Sequence, residues 1–141
     1  MIDHITLRVR EVGRSARFYR QALSPLGYVV KVRHGETIGF GVEDGTPRSD
    51  FYVSPMRDAP TGESTDVPES VCGSVTTHIA FRARNADEVG AFHRAALAAE
   101  GIDNGAPGPR SYHPGYYAAF VIDPDGNNIE AVVDWSWRCD S

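Results

Sequence analysis

No apolar run in this 141-residue sequence approaches the roughly 18 residues that a membrane-spanning helix needs, so no membrane partner is expected. Positive charge is in the minority: 14 Lys and Arg stand against 19 Asp and Glu, a net charge of -5. That balance lacks the electrostatic footprint of a nucleic-acid binder, and no nucleic-acid partner is expected. Cysteine is scarce, and Cys72 and Cys139 have no metal-type spacing. The N-terminus lacks a signal-peptide pattern, so both thiols are expected to be reduced and the protein cytoplasmic. What remains is ordinary for a globular chain, with 41% hydrophobic and 23% charged residues.

What the sequence does have is a repeat. An ungapped offset of 74 places His78 on His4, Ile79 on Ile5, Arg82 on Arg8 and Arg84 on Arg10. The same offset matches Phe92 to Phe18, Arg94 to Arg20, Ala96 to Ala22, Leu97 to Leu23 and Gly101 to Gly27. Nine identities over positions 4 to 27 compare with about one expected by chance at roughly one in twenty per position. Each half, at roughly 70 residues, is small for a self-sufficient core, so the two are expected to share one. The organisation expected is one domain of two modules, 1–55 and 74–135. A Pro-, Ser- and Gly-containing connector spans 56–73 and a tail spans 136–141.

Alternation of Ile5, Leu7 and Val9 with His4, Thr6 and Arg8 predicts a strand with one core face. Ala16, Tyr19, Ala22, Leu23 and Leu26 carry helical spacing over 13–24, and Ser24-Pro25 ends the run. Strands are expected at 28–32, 37–42 and 50–54. In the second half a strand over 75–83 leads to a helix that Asn85 caps, with Glu88 three residues on and Gly101 at its left-handed end. A Gly- and Pro-rich loop over 103–115 precedes strands at 116–122 and 128–134, joined by the turn Asp123-Pro124-Asp125-Gly126-Asn127. Each half is read as strand–helix–strand–strand–strand. The fold class expected is therefore α+β: two pseudo-symmetric βαβββ modules forming a curved mixed sheet around a cleft, with helices on its outer face.

His4, His78 and Glu130 are each the polar member of an otherwise apolar alternating strand. Their repeat relation predicts that the two imidazoles approach each other near the pseudo-axis, with the carboxylate beside them. Two imidazoles and a carboxylate make a borderline-to-hard donor set suited to Zn, Ni, Mn or Fe. The bland alternative is that each is a satisfied, half-buried polar residue; an unpaired buried carboxylate weighs against it for Glu130. A second cluster, Arg110-Ser111-Tyr112-His113-Pro114-Gly115-Tyr116-Tyr117, puts an imidazole, a guanidinium and three phenols just before a strand. Histidine can move protons near neutrality and arginine can fork a carboxylate or phosphate, although an ordinary aromatic-rich turn would look the same.

The motifs Asp3-His4-Ile5-Thr6-Leu7-Arg8-Val9, Arg17-Phe18-Tyr19 and Leu26-Gly27-Tyr28 resemble the opening module of the vicinal oxygen chelate superfamily. That superfamily holds glyoxalases, bleomycin-resistance proteins and extradiol dioxygenases. Thr77-His78-Ile79-Ala80-Phe81 and Asp123 to Glu130 resemble its second module. The resemblance implies paired βαβββ modules, usually in a homodimer, around a divalent metal ion held by His4, His78 and Glu130. It also implies a small-molecule substrate chelated through two neighbouring oxygens.

The sequence departs from the pattern at one corner. Glyoxalase I carries an acidic ligand there that doubles as the proton-transfer base, and this chain offers Asp50 or Tyr52, neither of them glutamate. Both lie on one strand face, and the sequence leaves the choice open. The enzyme reading assigns proton movement to His113, Asp50 or Tyr52 and substrate contacts to Arg110, Tyr112, Tyr116 and Tyr117. Lyase, isomerase or thiol-transfer chemistry fits the chain length. The other reading is a metal-free drug- or metabolite-binding protein of the bleomycin-resistance kind.

Overall fold

The computed structural model describes residues 1–56 and 76–134. The expected connector beyond Met56, the tail, and both cysteines lie outside the described residues. The first half runs β1 (Ile5–Val9), α1 (Val12–Ala22), a 3₁₀ turn (Ser24–Leu26), β2 (Tyr28–His34), β3 (Thr37–Val42) and β4 (Phe51–Pro55). The second runs β5 (His78–Arg82), α2 (Ala86–Ala98), β6 (Ile102–Pro109), β7 (Tyr116–Ile122) and β8 (Asn128–Asp134). The strands form two sheets of four, ordered β1-β4-β3-β2 and β5-β8-β7-β6. In each, the first strand of the module pairs parallel to the last, and the other pairings are antiparallel. The expected α+β architecture of two matching βαβββ modules is the one observed.

The element that the sequence reading counted but did not place is β6. Residues 103–115 were expected to be loop because Gly and Pro interrupt any alternation. Ile102–Pro109 is nevertheless an edge strand on β7, broken by register shifts, with Gly105 at φ 156°. An edge strand tolerates proline because one row of its amides has no partner to bond. A second correction concerns Gly101. The left-handed residue after α2 is Glu100, at φ 73°. Gly101 is needed for room instead: a Cβ there would lie 2.4 Å from Val121 Cγ1 and 2.7 Å from the Ala96 carbonyl.

Both helices start on side-chain caps. Glu11 accepts from the amides of Gly13 and Arg14, each at 2.8 Å, at the positive end of α1. Asn85 accepts from Glu88 N at 2.9 Å, as the sequence spacing predicts, while Glu88 reaches back to the Arg84 amide at 2.7 Å.

The apolar faces of both sheets and both helices contribute to one continuous core, so neither module buries its face alone. Phe81 of the second module meets Tyr28 and Phe51 of the first edge-on, with centroids 5.4 and 5.3 Å apart. The turn between β7 and β8 is the main polar tie between modules. Asp125 accepts from Arg10 N at 2.9 Å and Ser15 Oγ at 3.0 Å, and Asp123 accepts from Tyr19 Oη at 2.5 Å. The polar members of each alternating strand lie on the sheet face opposite this shared core.

Tyr19 is fully buried, and that burial, with the Asp123 carboxylate beside it, raises its pKa well above the ordinary tyrosine value. A raised folded-state pKa gives stability that is complete below the unfolded value, about 10, and is lost as pH rises through the folded one. Urea midpoints are therefore expected to fall from about pH 10 upward. Tyr28 and Tyr116 are shifted in the same direction, so Tyr19→Phe should flatten this decline without abolishing it. An unchanged alkaline slope in Tyr19→Phe would acquit Tyr19 as a source.

Candidate metal and substrate site

β8 runs parallel to β5 with Ala80 beside Glu130 and His78 beside Asn128, which puts His78 one diagonal step from Glu130 on the polar face. His78 Nε2 lies 3.0 Å from Glu130 Oε2. The Glu130 side chain is 3% exposed and His78 is half exposed, so the pair sits at the floor of the face with its imidazole open to solvent. A carboxylate this buried needs partners on both oxygens. The second comes from β7: Tyr116 Oη donates to Glu130 Oε1 at 2.5 Å. Burial first, then the bond to Glu130, pushes the Tyr116 pKa up, so its phenol stays a donor.

His113 and Tyr112 stand at the rim of the same face, in the turn between β6 and β7. Both rings meet the Tyr116 ring edge-on with centroids 5.1 Å apart. His113 Nε2 lies 3.3 Å from Asp134 Oδ2, at the end of β8, and its Nδ1 lies 3.3 Å from the Pro114 carbonyl. Asp134 escaped the sequence reading, although the spacing 130, 132, 134 along one strand face was a signal for it.

Two of the residues expected to touch substrate are placed otherwise. Tyr117 packs against the core, because successive strand residues take opposite faces and its neighbour Tyr116 holds the polar one. Arg110, just past β6, is consumed by that strand: Nη1 donates to the carbonyls of Gly108 and Pro109 at 2.9 and 3.3 Å, and Nη2 to that of Ala106 at 2.8 Å. Its guanidinium carbon lies 5.3 Å from the centre of the Phe120 ring, which stacks on His78 at 6.2 Å. Arg110 thus shapes the floor and bonds the irregular β6 edge.

The first sheet carries the corresponding half. His4 precedes β1, with Nδ1 2.8 Å from Asp3 Oδ1 and its ring edge-on to Tyr52 at 5.5 Å. The hydrogen bond to His4 is the chief cause holding the Asp3 carboxyl below its ordinary range. Thr6 pairs with Tyr52 as Ala80 pairs with Glu130, and the offset of 74 maps Thr6 onto Ala80. Tyr52 therefore occupies the place in its module that Glu130 occupies in the other. Asp50 corresponds to Asn128 and accepts from Tyr28 Oη at 3.1 Å. Gly39, unremarked in the sequence, makes room for the Tyr52 ring: a Cβ there would fall 2.7 Å from Tyr52 Cε1 and 2.6 Å from Val32 Cγ2.

The expected convergence of His4, His78 and Glu130 does not occur within one chain. Among the described residues no three His, Cys, Asp or Glu side chains gather at metal-binding spacing. The ligand-type pairs are split between the two sheets, His4 with Tyr52 at the first and His78 with Glu130 on the second. An open depression of about 330 Å³ lies elsewhere, on the first module, lined by Asp3, Asp44, Arg48 and Asp50 among others. It includes neither His78 nor Glu130.

The model of the Glyoxalase/Bleomycin resistance protein/Dioxygenase superfamily matches residues 1–131. The chain belongs to this superfamily. No curated protein sequence matches it. A solved glyoxalase/bleomycin resistance protein from Albidiferax ferrireducens T118 is similar in structure, with TM-score 0.68 and 24% identity over 92% of this chain and 95% of that one. A glyoxalase/bleomycin resistance protein/dioxygenase family enzyme from Burkholderia phytofirmans PsJN gives TM-score 0.64 and 19% identity over 93% and 96%. A glyoxalase-related enzyme from Fulvimarina pelagi gives 0.59 and 23% over 94% and 86%. At these identities the superfamily likeness extends to the fold of this member. None of its described helices is long and apolar enough to cross a membrane.

Proposed function

We propose that this superfamily member is a metal-dependent, glyoxalase-like enzyme that chelates a small oxygenated substrate through two neighbouring oxygens. The observation that carries the reading is the His78–Glu130 pair, an imidazole nitrogen and a buried carboxylate oxygen 3.0 Å apart on an otherwise open face. An imidazole and a carboxylate fit Zn, Ni, Mn or Fe, and His4 is the remaining donor. A bound ion would supply Lewis acidity to substrate oxygens. The chain's own residues would do the rest: His78, Glu130 and His4 hold the ion, Tyr52 presents its hydroxyl at the fourth corner, and Phe120 and Tyr112 flank the substrate. The proton is moved by Tyr52 or Asp50 at that corner, or by His113 at the rim. Lyase, isomerase or thiol-transfer chemistry follows from such a site.

The split between half-sites supports a twofold homodimer in which His4 and Tyr52 of one chain face His78 and Glu130 of the other. Among the described residues β1 and β5 each have one paired edge and one edge without a strand neighbour, and a second copy is a ready cover for such edges. The metal-free binding-protein reading keeps one point in its favour: Glu130 is already satisfied by His78 and Tyr116, so the pair can stand as structure. Elemental analysis of protein purified without added metal, with sedimentation on the same sample, separates the two. About one divalent ion per chain in a dimer is the expected outcome; a metal-free monomer at micromolar concentration would overturn the proposal.

A further inference from the structure

We infer that Tyr116 is a positioning residue whose hydroxyl fixes Glu130 so that only Oε2 is offered toward His78. Glu130 has two oxygens with different surroundings. Oε1 receives the Tyr116 hydroxyl at 2.5 Å, and Oε2 faces His78 Nε2 at 3.0 Å. The register explains why Tyr116 can do this. It pairs with Asp134 while Phe120 pairs with Glu130, four register pairs away, so the Tyr116 and Glu130 side chains must lean toward each other along the strands to meet. Tyr112 and His113, packed edge-on against it, hold the ring in that lean. His113 is itself anchored to Asp134, so the rim braces the bond. The alternation that turns Tyr117 toward the core is what leaves Tyr116 on the polar face. The phenol hydroxyl expected to meet substrate is therefore already committed to Glu130.

This inference rests on the metal reading and sharpens it. A carboxylate held at one oxygen has its other oxygen pre-aimed, and outer partners of this kind typically contribute 10- to 100-fold in metal affinity. Tyr116→Phe keeps the ring and its edge-on contacts and removes only the hydroxyl. The test is a Co(II) titration of the full chain followed by visible absorption, with Tyr117→Phe as control, since Tyr117 is the neighbouring phenol on the same strand and packs on the opposite, core side. Expected are Co(II) binding by wild type and by Tyr117→Phe with the same spectrum, and a tenfold or greater loss of affinity with an altered spectrum in Tyr116→Phe. Far-UV circular dichroism of Tyr116→Phe should match wild type. Wild-type affinity and spectrum in Tyr116→Phe would overturn the positioning role and leave the metal reading standing. No Co(II) binding by wild type would overturn both.

Discussion

Replacing His78 with alanine is expected to abolish divalent-metal binding while leaving the chain folded. His78 supplies a nitrogen directly, so its loss should exceed the roughly 10- to 100-fold cost of removing an outer partner. The fold should survive because the imidazole is half exposed and lies on the face away from the core. Glu130 loses one of its two partners, but the vacated space opens to solvent and water can take up Oε2. A stability cost of about 1–2 kcal/mol is the expected penalty for this partly compensated carboxylate. Isothermal titration with Zn(II) or Ni(II), paired with thermal melting of the metal-free protein, reads both effects. Full metal occupancy in His78→Ala would sink the ligand assignment.

The largest effect on stability is expected at Asp123. This buried carboxylate accepts four hydrogen bonds: Tyr19 Oη at 2.5 Å, Asn127 N at 2.8 Å, and Asp125 N and Asn127 Nδ2 at 2.9 Å. Asn127 passes the tie on through Oδ1 to the Thr77 amide at 2.9 Å, at the entrance to β5. One side chain thus closes the β7–β8 turn, aligns β5 beside it and fastens α1 of the other module. Asp123→Ala strands these donors where water cannot reach them, which costs about 3–5 kcal/mol for a buried hub of this kind. Such a loss is a large share of the 5–15 kcal/mol that a domain possesses. Urea unfolding of Asp123→Ala and Asp123→Asn checks it, the asparagine retaining one acceptor and losing less. A loss below about 1 kcal/mol in the alanine variant would show that the turn is not the joint between modules.

That hub accounts for the turn Asp123 to Asn127 that carries part of the resemblance: each of its polar side chains has an assigned bond. Most of the fold was legible for a related reason. Half-buried strands such as β1, β5 and β8 alternate, and alternation survives in sequence; the repeat then supplied the module boundaries. β6 was not legible because an edge strand with bulges has neither a buried face nor a full ladder to impose a pattern on its glycines and prolines. Gly101 was misread because a glycine kept for van der Waals room looks the same in sequence as one kept for positive φ. At the site, period two placed His78, Glu130 and Tyr116 on one face. It could not separate Asp50 from Tyr52, which sit two residues apart; the pairing of β4 with β1, compared with that of β8 with β5, makes Tyr52 the counterpart of Glu130. Nor could it see that Arg110 would be spent on carbonyls of the strand before it, since such bonds depend on the bulges of β6.

The most direct test of the account is anomalous diffraction at the metal edge from crystals of the metal-loaded protein. One peak per chain is predicted, about 2.0–2.2 Å from His78 Nε2 and Glu130 Oε2, with His4 of the partner subunit completing the protein ligands. A peak elsewhere, such as among Asp3, Asp44 and Asp50, or no peak at saturating metal, would contradict it.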